Sequence, residues 1–346
     1  MKRFIIFALL LFITVTPVYA MEYEPPVVPD SGEEYMPAEP ESFGEGLWFV
    51  IKSAFADVLP EIRRTSSTCL TIFAIMLIVS IVDGFAGASS NVVHLASSIM
   101  IGLVLLEPTN TMILLGSDAI TEMWDYGKLL IPVLTGALAA QGGVSSSSAL
   151  YMITVVFCTF LVTLIIRVLI PILYIYFCIC LICSATGNTS LQNIQSFLKW
   201  LMSWILKILL YVFTGFIGIT GVVSGTADAS AVKAMKLTLS GMIPVVGGII
   251  SDASETILVS AGVMKNTTGI YGLLAIIAIF IGPFLNIGCQ YLLLKFTGSL
   301  CGIFASRTES VLLKSFSAGM GMLLGMTGTV CLFLLIAIVC FLKGVS

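Results

Sequence analysis

The chain is written as long apolar runs separated by short polar interruptions. No Asp, Glu, Lys or Arg occurs in 149–166, 168–186, 267–294 or 315–342. About 20 predominantly apolar residues cross a bilayer as a helix, because lipid offers no partner to an unpaired backbone N–H or C=O. The pattern predicts spans at 67–86, 92–115, 149–166, 168–186, 200–224, 268–293 and 320–342. The fold class that follows is all-α: a polytopic helical membrane protein of about seven spans, within limits of six and eight. Arg167 is expected at a tight cytoplasmic turn and 116–147 as an extracytoplasmic connection. Whether 241–264 adds a broken eighth crossing decides the side of Lys295, Arg307 and Lys314.

Before the first span the pattern changes three times. Lys2 and Arg3, an apolar stretch from Phe4 to Thr16, and Val18-Tyr19-Ala20 read as a signal peptide over 1–20, with an uncleaved anchor as the other reading. Residues 21–45 hold eight acids from Glu22 to Glu45, several prolines and no basic residue. Such a segment has too little apolar surface to order itself and is expected as a disordered extracytoplasmic lead. Over 46–66, Leu47, Ile51, Phe55, Val58 and Ile62 share one stripe, with Trp48 and Phe49 suited to the headgroup zone. This predicts an amphipathic helix lying on the membrane or packed on a partner. Residues 67–346 form the polytopic membrane domain.

Composition agrees with the pattern. Of the residues, 58% are hydrophobic and 10% charged, and the mean hydropathy is +1.09; a soluble domain carries about 25% charged residues. The net charge of −3 says little about partners. Nucleic acid is not expected, for no basic patch with interleaved aromatics appears. Nine cysteines lie scattered in apolar stretches and do not form a disulfide framework. Cys178 and Cys180 point apart on one helix, so with Cys183 they read as small buried hydrophobes rather than a soft-metal site. His94 is the one histidine. It reads as a hydrogen-bonded group between helices rather than a catalytic or metal-binding one. The run Ser145–Ser148 has no adjacent base. No catalytic residue, metal or cofactor is expected, and the chain does not read as an enzyme.

Charges at membrane depth carry more information. Asp83, Glu107, Arg167, Lys207, Asp252 and Glu255 lie within or at the ends of apolar runs. Each costs about 2.5–3.5 kcal/mol at a helix centre unless it is paired or hydrated. Lys207, well inside its span, is expected to snorkel or to pair with an acid. Asp252 and Glu255 share a helical face just after the break Pro244-Val245-Val246-Gly247-Gly248, where they would cap the freed backbone or line a polar cavity.

That break has a counterpart. Residues 134–150 read LTGALAAQGGVSSSSAL and 239–257 read LSGMIPVVGGIISDASETI, so Gly142 and Gly143 fall on Gly247 and Gly248. At the same shift 92–115 falls on 197–220 and 168–186 on 273–291. The predicted directions are opposite, which makes an inverted repeat with glycine-broken or re-entrant segments, a pointer to a transporter's binding site. Gly218, Gly221 and Gly225, and later Gly321, Gly325 and Gly328, follow the small-residue spacing of packed membrane helices.

Ser224-Gly225-Thr226-Ala227-Asp228, Lys236, Ile243-Pro244-Val245-Val246-Gly247-Gly248 and Ser251-Asp252-Ala253-x-Glu255-Thr256 resemble the most recognisable block of the stage III sporulation protein AE family. Pro132, Leu134 and Ala139-Ala140-Gln141-Gly142-Gly143 fit as well. The resemblance covers about 45–342. It implies a multi-pass component of a sporulation complex in the mother-cell membrane around the forespore. The implied partners are the other subunits of that complex, the lipid bilayer and, indirectly, a forespore-side protein. The implied role is a channel or secretion-like conduit. Gly142, Gly143, Lys207, Asp228, Pro244, Gly247, Gly248, Asp252 and Glu255 are then structural or conduit candidates. The alternative is a self-contained secondary transporter of a small solute or ion.

Overall fold

The computed structural model describes residues 25–37, 43–86, 90–140, 144–223, 267–302 and 307–343. The regular structure among them is helical: α1 (Asp30–Glu33), α2 (Phe43–Ala86), α3 (Ser90–Ala140), α4 (Val144–Leu164), a π-helical segment (Ile165–Leu169), α5 (Ile170–Thr186), α6 (Thr189–Val223), α7 (Thr267–Cys301) and α8 (Arg307–Lys343). Among the described residues six runs are long and apolar enough to cross a membrane: Phe43–Phe85, Val92–Ala137, Tyr151–Thr186, Ser190–Phe213, Gly269–Cys301 and Glu309–Leu342. The protein is a multi-pass helical membrane protein.

The helices run further than the apolar pattern predicts. α2 carries 44 residues, about 66 Å at 1.5 Å per residue, so the amphipathic stretch and the first span form one rod. α3 carries 51 residues and passes through Pro108 and Pro132, across most of the expected connection. Arg167 marks no turn. It lies in the π-helical segment that joins α4 to α5, so 149–166 and 168–186 belong to one continuous run. Arg is a good helix former, and one widened turn absorbs a local mismatch without ending the helix.

Successive runs alternate in direction. Gly116 packs on Leu323 and Gly127 on Leu334, so α3 and α8 are parallel. Gly298 meets Leu313 and Gly269 meets Leu342, so α7 is antiparallel to α8. Phe213 packs on Phe333, and Gln195 bonds Ser315, which sets α6 parallel to α8 and therefore to α3. The matched segments 92–115 and 197–220 thus run in the same direction and not as the expected inverted repeat, because the run through Arg167 removes one crossing. The starts of α3, α6 and α8 therefore share one end of the bundle. The ends of α3 and α6 and the starts of α4 and α7 share the other.

α7 and α8 form the centre. Residues 272–279 are buried without interruption, as in a helix apolar on every side. Where α8 crosses α5, a Cβ on Gly319 would lie 2.4 Å from the Phe177 ring, a separation only glycine permits. Part of the acidic lead is packed rather than free. Gly32 sits against Ile279, Tyr35 covers Gly282 and Val28 is buried, while the Ser31 hydroxyl donates to Glu122. Residues 25–37 lack the apolar content to fold alone, but α7 supplies the missing surface. Burial, with Asp57 and Glu34 nearby, raises the Tyr35 phenol above its usual pKa.

Candidate functional site

With so few charges, those that meet inside the bundle stand out. Arg64 and Glu107 pair at 3.3 Å, and Lys128 and Asp125 at 2.7 Å, but both pairs are exposed. Glu309 differs. It stands in the first turn of α8, where the helix dipole favours a carboxylate, and is only 1% exposed.

His94, on the first turns of α3, places Nδ1 3.0 Å from Glu309 Oε1 and Nε2 3.4 Å from Asp83 Oδ1 near the end of α2. The Ser97 hydroxyl donates to the same Glu309 oxygen and also approaches the His94 carbonyl at 2.9 Å. One imidazole thus bridges two carboxylates on different helices. A neutral ring has one N–H and donates to one of them; the imidazolium donates to both. The cluster pins the α2–α3 hairpin to the start of α8. Glu309 is its buried member, while His94 and Asp83 are partly exposed, and a carboxylate stranded there without these partners is costly in a low dielectric.

A second polar tie lies nearby. Gln195 Nε2 donates to Ser315 Oγ at 2.6 Å, and the Tyr176 hydroxyl donates to the Ser315 carbonyl at 3.1 Å, joining α5, α6 and α8. Ser98 and Ser184 hydroxyls meet at 3.0 Å between α3 and α5. Ser97, the hydroxyl beside the histidine, is buried. Among the described residues no group of His, Cys, Asp and Glu side chains is arranged to hold a metal ion. The arrangement is built to hold helices together.

The histidine and Asp83 were visible in the sequence as rare charges, and His94 is hydrogen-bonded between helices as expected. Glu309 lies outside the expected last span, 320–342, because α8 begins at Arg307, well before its apolar run. The signal was present: an acid in the motif Arg307-Thr308-Glu309-Ser310 ahead of an apolar run marks a helix start. Of the predicted site residues, Lys207 lies on α6 and is exposed. Gly142, Gly143, Asp228, Pro244, Gly247, Gly248, Asp252 and Glu255 lie outside the described residues. The helix ends between which both glycine stretches fall are at the same end of the bundle, opposite the Asp83–His94–Glu309 cluster.

Residues 42–344 match the model of the family described as stage III sporulation protein AE. No curated protein and no solved structure matches the chain.

Proposed function

The chain belongs to the stage III sporulation protein AE family, and on that basis we propose that it is a non-enzymatic membrane subunit of the mother-cell sporulation complex. With a forespore-side partner, the complex forms a channel or secretion-like conduit across the membranes around the forespore. The observation that carries this reading is the reach of the family match, which spans all six long apolar helices. The peripheral helices support it. α2 and α6 leave most of their apolar surface uncovered, which suits a subunit that completes its packing against lipid and other chains. Gly142, Gly143, Asp228, Pro244, Gly247, Gly248, Asp252 and Glu255 are proposed as the break and lining of the path, and Lys207 as one of its charges.

Co-purification from sporulating cells tests the proposal. The chain should bring down the other subunits of the complex, and a strain lacking it should fail to complete spores. A chain that purifies alone and binds a small solute or ion without partners would instead support the secondary-transporter alternative.

A further inference from the structure

α6 carries a polar stripe that its surroundings do not explain. Gln192, Ser196, Lys199, Ser203 and Lys207 recur at steps of three or four residues, so they line one flank of the helix. α6 contains two lysines and no acid. One side of the stripe is bounded by the face packed on the bundle, which includes the buried Met202, Leu209 and Phe213. The other is bounded by an exposed aromatic ladder, with Phe197 stacked on Trp200 and Trp200 on Trp204 at 5.9 and 5.7 Å. Lys199 and Lys207 are exposed and form no ion pair with a described residue.

α6 does not lie flat on a membrane surface, where such a stripe would be ordinary. Gln195 meets Ser315 and Phe213 meets Phe333 at one and the same offset, so α6 stands upright beside α8. In that register Lys207 is level with Thr327. Any stretch of about 20 residues within Glu309–Leu342, the length that crosses the hydrocarbon, includes Thr327. The continuous α4–α5 run adds a third cation, on its π-helical segment. The contacts Gln195–Tyr176 and Phe213–Phe157 fix its antiparallel register, which sets Arg167 level with Ser203. Arg167 is exposed, and it sits in the π-helical segment, a distortion that recurs at functional sites. Basic side chains at this depth face water or a counter-charge rather than lipid.

We infer that the Gln192–Lys207 flank of α6 is one wall of a water-filled path that favours small anions, with Arg167 a further cation at the same depth. This rests on the conduit reading and gives it a lining and a charge preference. The remaining walls come from the other lining residues proposed above and from neighbouring chains of the assembly.

Single cysteines at Gln192, Ser196 and Ser203 on the stripe, and at Phe197 and Trp204 on the ladder, test it in membranes of sporulating cells. The probes are two membrane-impermeant methanethiosulfonates, one carrying a sulfonate and one a quaternary ammonium, read against the wild-type background to which exposed Cys178 contributes. Stripe positions should react far faster than ladder positions. The anionic probe should be favoured by about tenfold relative to its ratio on a free thiol, and Lys207→Gln should remove most of that preference. Continued protection of buried Cys331 shows that the variant is folded. Equal reactivity of stripe and ladder would overturn the hydrated wall, and a preference unmoved by Lys207→Gln would overturn its anion selectivity. A hydrated, anion-favouring stripe in a chain that captures no other subunit would sink the complex and leave this inference standing.

Discussion

The α7–α8 hairpin and the helices α2 and α6 are all apolar enough to cross a membrane, yet they occupy opposite positions. In the most apolar stretch of α7 and of α8, 67% of residues are buried, against 17% in α2 and in α6. Hydropathy does not separate them, for lipid is as apolar as leucine and gives helices no hydrophobic reason to pack. Close contact does. On α7 and α8, added Cβ atoms at Gly269, Gly272 and Gly319 would fall 2.3–2.6 Å from Leu342, Leu130 and Phe177. At Gly44 and Gly84 of α2 and at Gly215 of α6 nothing lies within 4 Å. The tight glycine notches of this pair thus have no counterpart at those three positions of α2 and α6, although Gly288 and Gly325 of the central hairpin are open as well. The polar ties add to the same centre: Glu309 and Ser315 on α8 receive His94, Ser97, Gln195 and Tyr176.

The sharpest way to break this contrast is to remove the buried acid. Glu309→Ala should destabilise the solubilised protein by about 1.5–3 kcal/mol, since it removes the buried carboxylate shared by His94 and Ser97 and leaves them only Asp83 and the His94 carbonyl. A large drop in thermal midpoint checks it. Glu309→Gln, which keeps an acceptor, should cost less, and a loss equal to that of Glu309→Ala would show that the hydrogen bonds are not what matters. Next comes overpacking at the centre. Gly319→Ala should cost about 1–3 kcal/mol, because its Cβ would press on the Phe177 and Tyr176 rings, which are themselves buried. An unchanged midpoint would mean that α5 and α8 are not in contact there.

The periphery should respond in the opposite sense. Gly84→Ala meets open space and should stabilise α2 by about 0.5–1 kcal/mol, through lower backbone entropy in the unfolded chain. Destabilisation would reveal a close neighbour at that position. Smallest of all is Arg64→Gln. Its pair with Glu107 is exposed, and such pairs contribute little. The midpoint should not move, and a clear fall would place that pair in a drier environment than the fold shows.

Much of this contrast could not be read from the sequence, and the reasons are physical. Apolar runs reveal that helices exist but not where they stop. Backbone hydrogen bonding carries α3 through Pro108 and Pro132, and a π turn carries the chain past Arg167. An apolar-window reading therefore divides one helix at Arg167 and starts the last helix eleven residues after Glu309. The scarcity of charge made Asp83 and His94 conspicuous, whereas their partner Glu309 lay among serines and looked like a loop. Small-residue spacing pointed to Gly321 and Gly325 as a packing face. In the fold the tightest approach on α8 is at Gly319, with Tyr291 close to Gly321 and nothing within 4 Å of Gly325. Spacing gives a stripe, but only the partner helix decides which member of it is pressed.

The central claim, that α7 and α8 are enclosed while the outer helices are open, is most directly tested with the protein's own thiols. Cys331 on α8, Cys301 on α7 and Cys158 on α4 are buried, and Cys178 on α5 is exposed two residues from buried Cys180. The intact, detergent-solubilised chain is treated with a small permeant maleimide, and each cysteine is followed by peptide mass spectrometry. The fold predicts rapid modification of Cys178, with Cys331, Cys301, Cys158 and Cys180 protected until the protein unfolds. Modification of Cys331 as fast as Cys178 in the folded chain would contradict it.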